Sequence, residues 1–183
     1  MFSLTSLSIQ KKFKKVNFEE EVQGKLVNFS LLRSANFVPN PITVTSVAVV
    51  PFVLKTEIIT VRLDRGIDIP GGHTEESDID LVATVEREVR EETGIELVQP
   101  IYLIGIIKSD YLGTSPSDAT YMLITAAKVA KISEYLPQLE SRGREQLDID
   151  AFLARYSAGS RDMMAEIVNR AKETSGELFQ RSR

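Results

Sequence analysis

Three glutamates that could hold a metal ion lie close together in a helical segment, at Glu88, Glu91 and Glu92. At about 100° per residue, Glu92 lies roughly 40° from Glu88 on one side and Glu91 roughly 60° on the other. The three carboxylates therefore share one sector, where their charges repel without a cation. Magnesium prefers such oxygen ligands and is commonly held by a few carboxylates together with substrate phosphates. A solvated helix face would explain a lone Glu pair, but the full run predicts a metal site.

The helix that carries these acids has its own apolar anchor and its own ends. Its apolar stripe recurs at helical spacing and consists of Val82, Val85 and Val89. Asp80 is suited to cap the first turn, because its side chain can accept a hydrogen bond from an early backbone amide. Gly94 follows the last turn, where a left-handed cap favours glycine. These signals predict a helix over residues 81–93 whose valines pack while its acids face a cleft.

At these residues the chain resembles the Nudix hydrolase family. Residues 87–95 read Arg-Glu-Val-Arg-Glu-Glu-Thr-Gly-Ile and match every fixed position of the second half of the family signature. The first half departs from the pattern, because Asp78 stands where the count from Gly72 expects Glu, while the count back from Arg87 reaches Ile79. Either the loop carries one extra residue and Asp78 replaces the glutamate of the first half, or that motif acid is absent. We expect an acid of residues 75–80, such as Asp78, to pair with Arg87, and Ile79 to turn into the interior.

The resemblance implies a fold, a reaction and a set of roles. The implied fold is a Nudix-type α/β/α sandwich with a mixed sheet, to which we add N-terminal and C-terminal helices. The implied reaction is hydrolysis of a P–O–P bridge in a nucleoside diphosphate linked to another group. Magnesium, with manganese as an alternative, is the implied cofactor, and its ligands are Glu88, Glu91, Glu92 and the carbonyl of Gly71. By the same resemblance, Arg87 orients the glutamates and completes the catalytic set.

Substrate contacts are expected from Gly71, Gly72, Arg62 and Tyr111. Arg62 ends a predicted strand and could pair with phosphate, although an exposed strand-end arginine is an equal alternative. Tyr111 follows the motif at a spacing that, in some relatives, marks diadenosine polyphosphate hydrolases. His73, the only histidine, is expected to shape the loop or contact phosphate rather than transfer a proton.

The general base is Glu88 or an acid of a later loop, for which the candidates are Asp118, Glu140 and Glu145, with a slight preference for Glu145.

The substrate stays open among nucleoside triphosphates, dinucleoside polyphosphates and nucleotide sugars. The alternative function is a nucleotide-sensing or scaffold module of weak activity, which the irregular first half of the motif suggests. Retention of all three glutamates argues against this alternative.

Composition limits the remaining classes. The net charge of −4 gives no overall basic field, so no stable nucleic-acid partner is expected. The absence of cysteine excludes disulfides and thiolate chemistry and fits a cytoplasmic protein. No apolar run approaches the ~20 residues of a membrane span, so no membrane partner is expected. A homodimer remains open.

The order of predicted elements gives one main domain with terminal additions. Asn17 and Glu20 resemble a capping box, and apolar residues at helical spacing predict an N-terminal helix over residues 18–34. Strands are predicted over residues 42–54, 57–63, 96–108 and 120–129, with a loop at 64–80. Two helical pieces follow, one around Phe152 and one beginning after Ser160, whose methionines suit core or dimer packing. The predicted boundaries are a helical extension at 1–40, a Nudix domain at 41–158 and a packed helix at 159–183.

Overall fold

A computed structural model describes residues 7–9, 13–22, 25–32, 44–109, 120–135 and 141–180. In these ranges the strands are β1 (Leu7–Ile9), β2 (Val16–Val22), β3 (Lys25–Leu32), β4 (Val44–Leu54), β5 (Glu57–Leu63), β6 (Gly66–Asp68), β7 (Gly71–His73), β8 (Ile95–Ser109), β9 (Thr120–Ile132) and β10 (Arg144–Asp148). The helices are α1 (Leu81–Thr93), α2 (Ile149–Arg155) and α3 (Arg161–Leu178).

The strands form one mixed sheet, with its main path in the order β10-β5-β4-β9-β8-β3-β2. β1 joins β8, β6 joins β5 and β7 joins β4. One buried core includes the valines of α1 together with Val47 and Leu123 of the sheet. A second core joins the other sheet face to α2 and α3, through residues such as Phe152 and Val168. The predicted α/β/α sandwich with a mixed sheet is therefore confirmed.

Helix α1 begins and ends as its sequence predicts. The side chain of Asp80 accepts a hydrogen bond from the amide of Ala83 at 2.8 Å. Gly94 adopts the left-handed conformation, with φ of 64°. All three stripe valines are buried against the sheet, at Val82, Val85 and Val89. This packing fixes the neighbouring sector of the helix, where the glutamates lie.

The predicted N-terminal helix over residues 18–34 is wrong. Residues 16–22 and 25–32 instead form an antiparallel pair, β2 and β3, and β3 also pairs with β8. The side chain of Asn17 accepts a bond from Ser30 across this pair rather than capping a helix. On β3, Val27 and Leu31 are fully buried while Asn28 is exposed. This alternation of period two suits a strand packed on one face, and pairing with β8 stabilises it over the helical alternative.

Other predicted elements differ only in detail. The four predicted strands correspond to β4, β5, β8 and β9, and the C-terminal pieces form α2 and α3. The predicted loop at 64–80 contains the short strands β6 and β7, and β10 was not predicted. Within the described residues, no helix is long and apolar enough to cross a membrane.

Candidate active site

Strand β7 presents backbone groups to helix α1. Gly71 lies opposite Ala48 and Gly72 opposite Val47 in the pairing with β4. The amide of Val49 donates to the carbonyl of Pro70, and the amide of Thr74 donates to the carbonyl of Thr45. Hydrogen-bonded and non-hydrogen-bonded pairs alternate along an antiparallel ladder, so Ala48 and Gly71 form a non-hydrogen-bonded pair. The amide and the carbonyl of Gly71 therefore both face outward, away from β4.

Neighbouring groups approach both glycines closely, and at Gly71 the close neighbour is backbone, so glycine is required there. A Cβ atom on Gly71 would overlap the carbonyl oxygen of Val47. One on Gly72 would overlap the carboxylate of Glu88. The outward amide of Gly71 donates to Glu92 Oε2 at 2.7 Å. The Pro-Gly-Gly segment thus brings backbone against two of the predicted metal ligands.

Arg87 joins the helix, the preceding loop and β7. Its Nε and Nη2 donate to the two oxygens of Asp78, both at 3.0 Å. Nη1 donates to Glu88 at 2.9 Å and to Glu91 at 3.1 Å, and Nη2 also donates to the carbonyl of His73 at 2.8 Å. The expected pairing of Arg87 with Asp78 is confirmed. Asp78 pairs with this arginine although the spacing in the first half of the motif departs from the family pattern. Glu75 adds a weaker contact to Arg87 at 3.5 Å.

The prediction that Ile79 turns into the interior is wrong, because its side chain is 83% exposed. The two flanking residues explain this. Asp78 accepts bonds from Thr84 and Arg87, and Asp80 caps α1, so both carboxylates are directed to the helix. The side chain between them points to solvent.

Burial changes the acidity of the site. Burial raises the pKa of Glu92 to about 7, and the nearby charges of Glu88 and Asp68 add to this, while the bond from Gly71 opposes it. Burial also raises the pKa of Glu88, against the opposing effect of Arg87. The bonds from Arg87 hold the pKa of Asp78 down at about 2. Asp78 is therefore fully ionised at neutral pH. Glu88 and Glu92 lie nearest β7, and their bonds offset only part of the free-energy cost of removing their charges from water.

The donor set has the chemistry of a hard-cation site. Within the described ranges, no three His, Cys, Asp or Glu side chains already converge closely enough to hold a metal. Glu92 is instead turned to the amide of Gly71, while Glu88 and Glu91 are turned to Arg87. These carboxylates, with the outward carbonyl of Gly71, supply only oxygen donors. Such a set fits a small divalent cation, whose charge would offset their repulsion.

A cavity of about 420 Å³ opens beside the carboxylates. Glu92, Gly71, Gly72 and His73 line one part of it, and other parts of the wall come from β3, β4, β8, β9, α3 and the segment before Pro70. Its volume lies within the range of small-molecule sites. The cavity therefore borders the part of α1 that carries Glu92.

Two further residues at the acidic end were missed in the sequence. Arg65 and Asp68 line the cavity and form an ion pair at 3.1 Å. Burial raises the pKa of Asp68, and the charge of Arg65 opposes this. Both lie in the segment predicted as loop, just before Pro70, and this closeness to the motif is the signal that could have identified them.

The structure gives Arg62 and Glu145 partners of their own. Glu145 of β10 accepts two bonds from Arg155, at 2.8 and 3.2 Å, and these bonds lower its pKa. Arg62 lies 3.7 Å from Glu145 and donates to the carbonyl of Arg142. The lowered pKa makes Glu145 a weak proton acceptor, which disfavours it as the general base. Glu88 differs, because burial raises its pKa despite its bond from Arg87.

The remaining predicted residues divide into two groups. Those that lie outside the described residues are Tyr111, Asp118 and Glu140. His73 is described: its carbonyl accepts a bond from Arg87, and the residue lines the cavity.

Comparison with known proteins places this geometry in context. The profile of the NUDIX domain matches residues 43–166. The pyrophosphohydrolase BsRppH of Bacillus subtilis is similar in fold, with a TM-score of 0.67 and 21% identity over 89% of this chain and 99% of that one. A NUDIX hydrolase from Nitrosomonas europaea has a TM-score of 0.55 and 19% identity over 73% and 90% of the two chains.

The NUDIX domain of NrtR from Shewanella oneidensis, solved with ADP-ribose, has a TM-score of 0.55 and 16% identity over 74% of this chain and 93% of that one. Among curated proteins, none matches this sequence significantly. The profile match contains β7 and α1 entirely, whereas β1, β2 and β3 precede it.

Proposed function

This chain belongs to the Nudix family, and from that premise we propose that it is a magnesium-dependent pyrophosphohydrolase acting on a nucleoside diphosphate linked to another group. The observation that carries the proposal is that Glu92 and Glu88 lie against Gly71 and Gly72, while Arg87, held by Asp78, links Glu88 to Glu91. A scaffold without turnover would gain nothing from two carboxylates whose charges are penalised by burial, Glu88 and Glu92, beside the glycine strand of a cavity wall. The same residues are therefore the proposed catalytic set.

Glu88, Glu91, Glu92 and the carbonyl of Gly71 are the groups we assign to the metal. A divalent cation bound there supplies Lewis-acid chemistry, since it neutralises phosphate oxygens and makes a bound water more acidic. Magnesium fits best, because only oxygen donors are present and substrate phosphates can complete its coordination. Manganese prefers similar ligands and is the expected substitute.

The protein residues position the reactants and receive the proton. A water oxygen attacks one phosphorus of the P–O–P bridge, and the bridging oxygen leaves with the bonding electrons on the other phosphate. The water proton passes to a carboxylate, for which we assign Glu88, since it lies against Gly72, and Gly72 lines the cavity. Arg87 is a positioning residue, because its bonds to Glu88 and Glu91 fix these carboxylates. Arg65, at the cavity wall, is placed to pair with a substrate phosphate.

Hydrolysis is tested by incubating the protein with nucleoside triphosphates, dinucleoside polyphosphates and nucleotide sugars in magnesium. Released phosphate, pyrophosphate and nucleoside monophosphate are measured separately, because they identify the bond that breaks. We expect activity on at least one class, its loss in excess chelator, and its recovery with magnesium or manganese.

The matching variant is Glu91→Gln, which should lower kcat by several orders of magnitude with little loss of stability, because Glu91 is 41% exposed and contributes charge rather than packing. Glu86→Gln is the control on the same helix, since Glu86 bonds Gln99 outside the acidic sector. It should keep near wild-type activity. Full activity in excess chelator, or equal losses in both variants, would contradict the proposal.

A further inference from the structure

The cavity extends from the acidic end of α1 across four neighbouring strands to the N-terminal hairpin. Its floor is one face of these strands, because register pairs Ser46 with Met122, Met122 with Ile107, and Ser109 with Phe29. All five residues line the cavity. At about 4.8 Å per strand, the floor reaches roughly 14 Å from β4 to β3. It therefore has room for more than a diphosphate.

The far part of this floor is covered by helix α3. Met163, Met164 and Ile167 of its first turns line the cavity opposite the sheet. The wall here combines these side chains with Ile107, Met122 and Phe29, all apolar. Polarisable methionine and aromatic side chains suit contact with a flat ring.

Charge is distributed unevenly along the cavity. Among the described lining residues, the charged ones are Arg65, Asp68 and Glu92, and all belong to the part formed by β5 to β7 and α1. Hydroxyl groups of Ser109 and Thr120 lie at the ends of β8 and β9 and can bond a neutral polar edge. The described far wall therefore favours an uncharged planar group over a second phosphate or a charged sugar phosphate.

We propose that this far half binds the nucleobase of the substrate and that the base stacks on Phe29 of the N-terminal hairpin. The inference rests on the proposed function for the identity of the ligand. It adds a contribution from β3, which precedes the matched NUDIX segment. Phe29 is partly buried and packs against the core, so its ring is held in place before substrate binds. Stacking of a base on such a ring contributes about 1–3 kcal/mol, or roughly 5-fold to 150-fold in affinity.

The test measures binding by isothermal titration calorimetry. The probes are AMP, GMP, CMP and UMP, compared with ribose 5-phosphate, which has the same phosphate and sugar but no base. We expect at least one nucleotide to bind 10-fold or more tightly than ribose 5-phosphate. Phe29→Ala should remove most of this difference and leave ribose 5-phosphate binding unchanged. Phe29→Leu, which keeps apolar packing without a ring, should give an intermediate loss.

Phe18→Ala is the matched control, because Phe18 lies directly opposite Phe29 in the hairpin and packs against the same core without lining the cavity. It should keep the preference for the nucleotide. Equal affinity of all four nucleotides and ribose 5-phosphate, or equal effects of the Phe18 and Phe29 variants, would overturn the proposal. Because the probes are not hydrolysed, their binding is measured separately from turnover. Base-dependent binding without hydrolysis would count against the proposed reaction alone, and hydrolysis without base-dependent binding would count against Phe29 alone.

Discussion

At the scale of single residues, the pair formed by Asp78 and Arg87 gives the first prediction. Asp78→Asn replaces a carboxylate that accepts two bonds from Arg87, so the variant should lose about 2 kcal/mol of stability. The folded pKa of about 2 lies below the ordinary value, so the contribution is present above about pH 4 and is lost as pH falls towards 2. Urea unfolding at pH 7, 4 and 2 measures this, and the difference from wild type should shrink at low pH.

The activity of the same variant separates positioning from stability. We expect kcat to fall about 10-fold or more at a temperature where Asp78→Asn is fully folded, because Arg87 no longer fixes Glu88 and Glu91. Asp64→Asn is the control, since Asp64 pairs with Arg142 at an exposed site and such pairs contribute little. A pH-independent stability difference between wild type and Asp78→Asn would contradict the assignment.

The sequence correctly predicts the roles of residues whose contacts depend on nearby parts of the chain. Asp78 was identified because it lies within reach of Arg87 in a short loop, and this required no knowledge of distant strands. Ile79 was misassigned because apolarity alone favours burial, whereas the two neighbouring aspartates control the direction of its side chain. Phe29 joins the site through pairing of β3 with β8, and its distance in sequence from the motif hides that contact.

At the scale of the secondary-structure elements, the end of α1 gives the next prediction. Gly94→Val should cost at least about 1 kcal/mol, because a β-branched residue is strained at φ of 64°. The added Cβ would also lie 2.7 Å from the Cβ of Tyr135. Gly176→Ala is the control, since Gly176 lies within α3 with nothing within 4 Å of its added Cβ, and should be neutral or stabilising. Unfolding free energies by denaturant titration compare the two, and equal stability of Gly94→Val and wild type would refute the strain argument.

Secondary-structure elements are predicted correctly where the capping residues and the apolar periodicity of a segment indicate the same element. Helix α1 had a cap at each end and a stripe at one period, and its predicted bounds match the structure. The N-terminal segment had apolar residues compatible with either period. Its pairing with β8, more than 70 residues later, decided in favour of strands. Local propensity does not contain that long-range term.

At the scale of the whole molecule, the described N-terminal residues contribute to the sheet and to the cores on both of its faces. They do not form the separate helical extension that the sequence predicts. β1 and β3 share one long partner, since β1 pairs with residues 101–103 of β8 and β3 with residues 106–109. Leu7 packs in the core on the α1 face, and Phe13 packs in the core on the α3 face. The segment therefore supports both sides of the sheet that carries the cavity.

Arg170 of α3 adds a buried polar contact between this segment and the rest of the molecule. Its guanidinium is buried, donates to the carbonyls of Lys14 at 2.6 Å and Ile104 at 3.4 Å, and lies over the ring of Phe13. Arg170→Met keeps much of the volume but leaves these carbonyls without that donor, so it should cost about 2–4 kcal/mol and increase hydrogen exchange in β1 and β3.

Lys172→Met is the control for Arg170→Met, because Lys172 of the same helix is 41% exposed in its ion pair with Asp150. The control should change stability by less than about 0.5 kcal/mol. Denaturant unfolding, with hydrogen exchange followed by mass spectrometry, measures both effects. Equal unfolding midpoints for the two variants would show that Arg170 does not hold the segment. Loss of exchange protection in β3, accompanied by weaker nucleotide binding, would instead connect this contact to the cavity through Phe29.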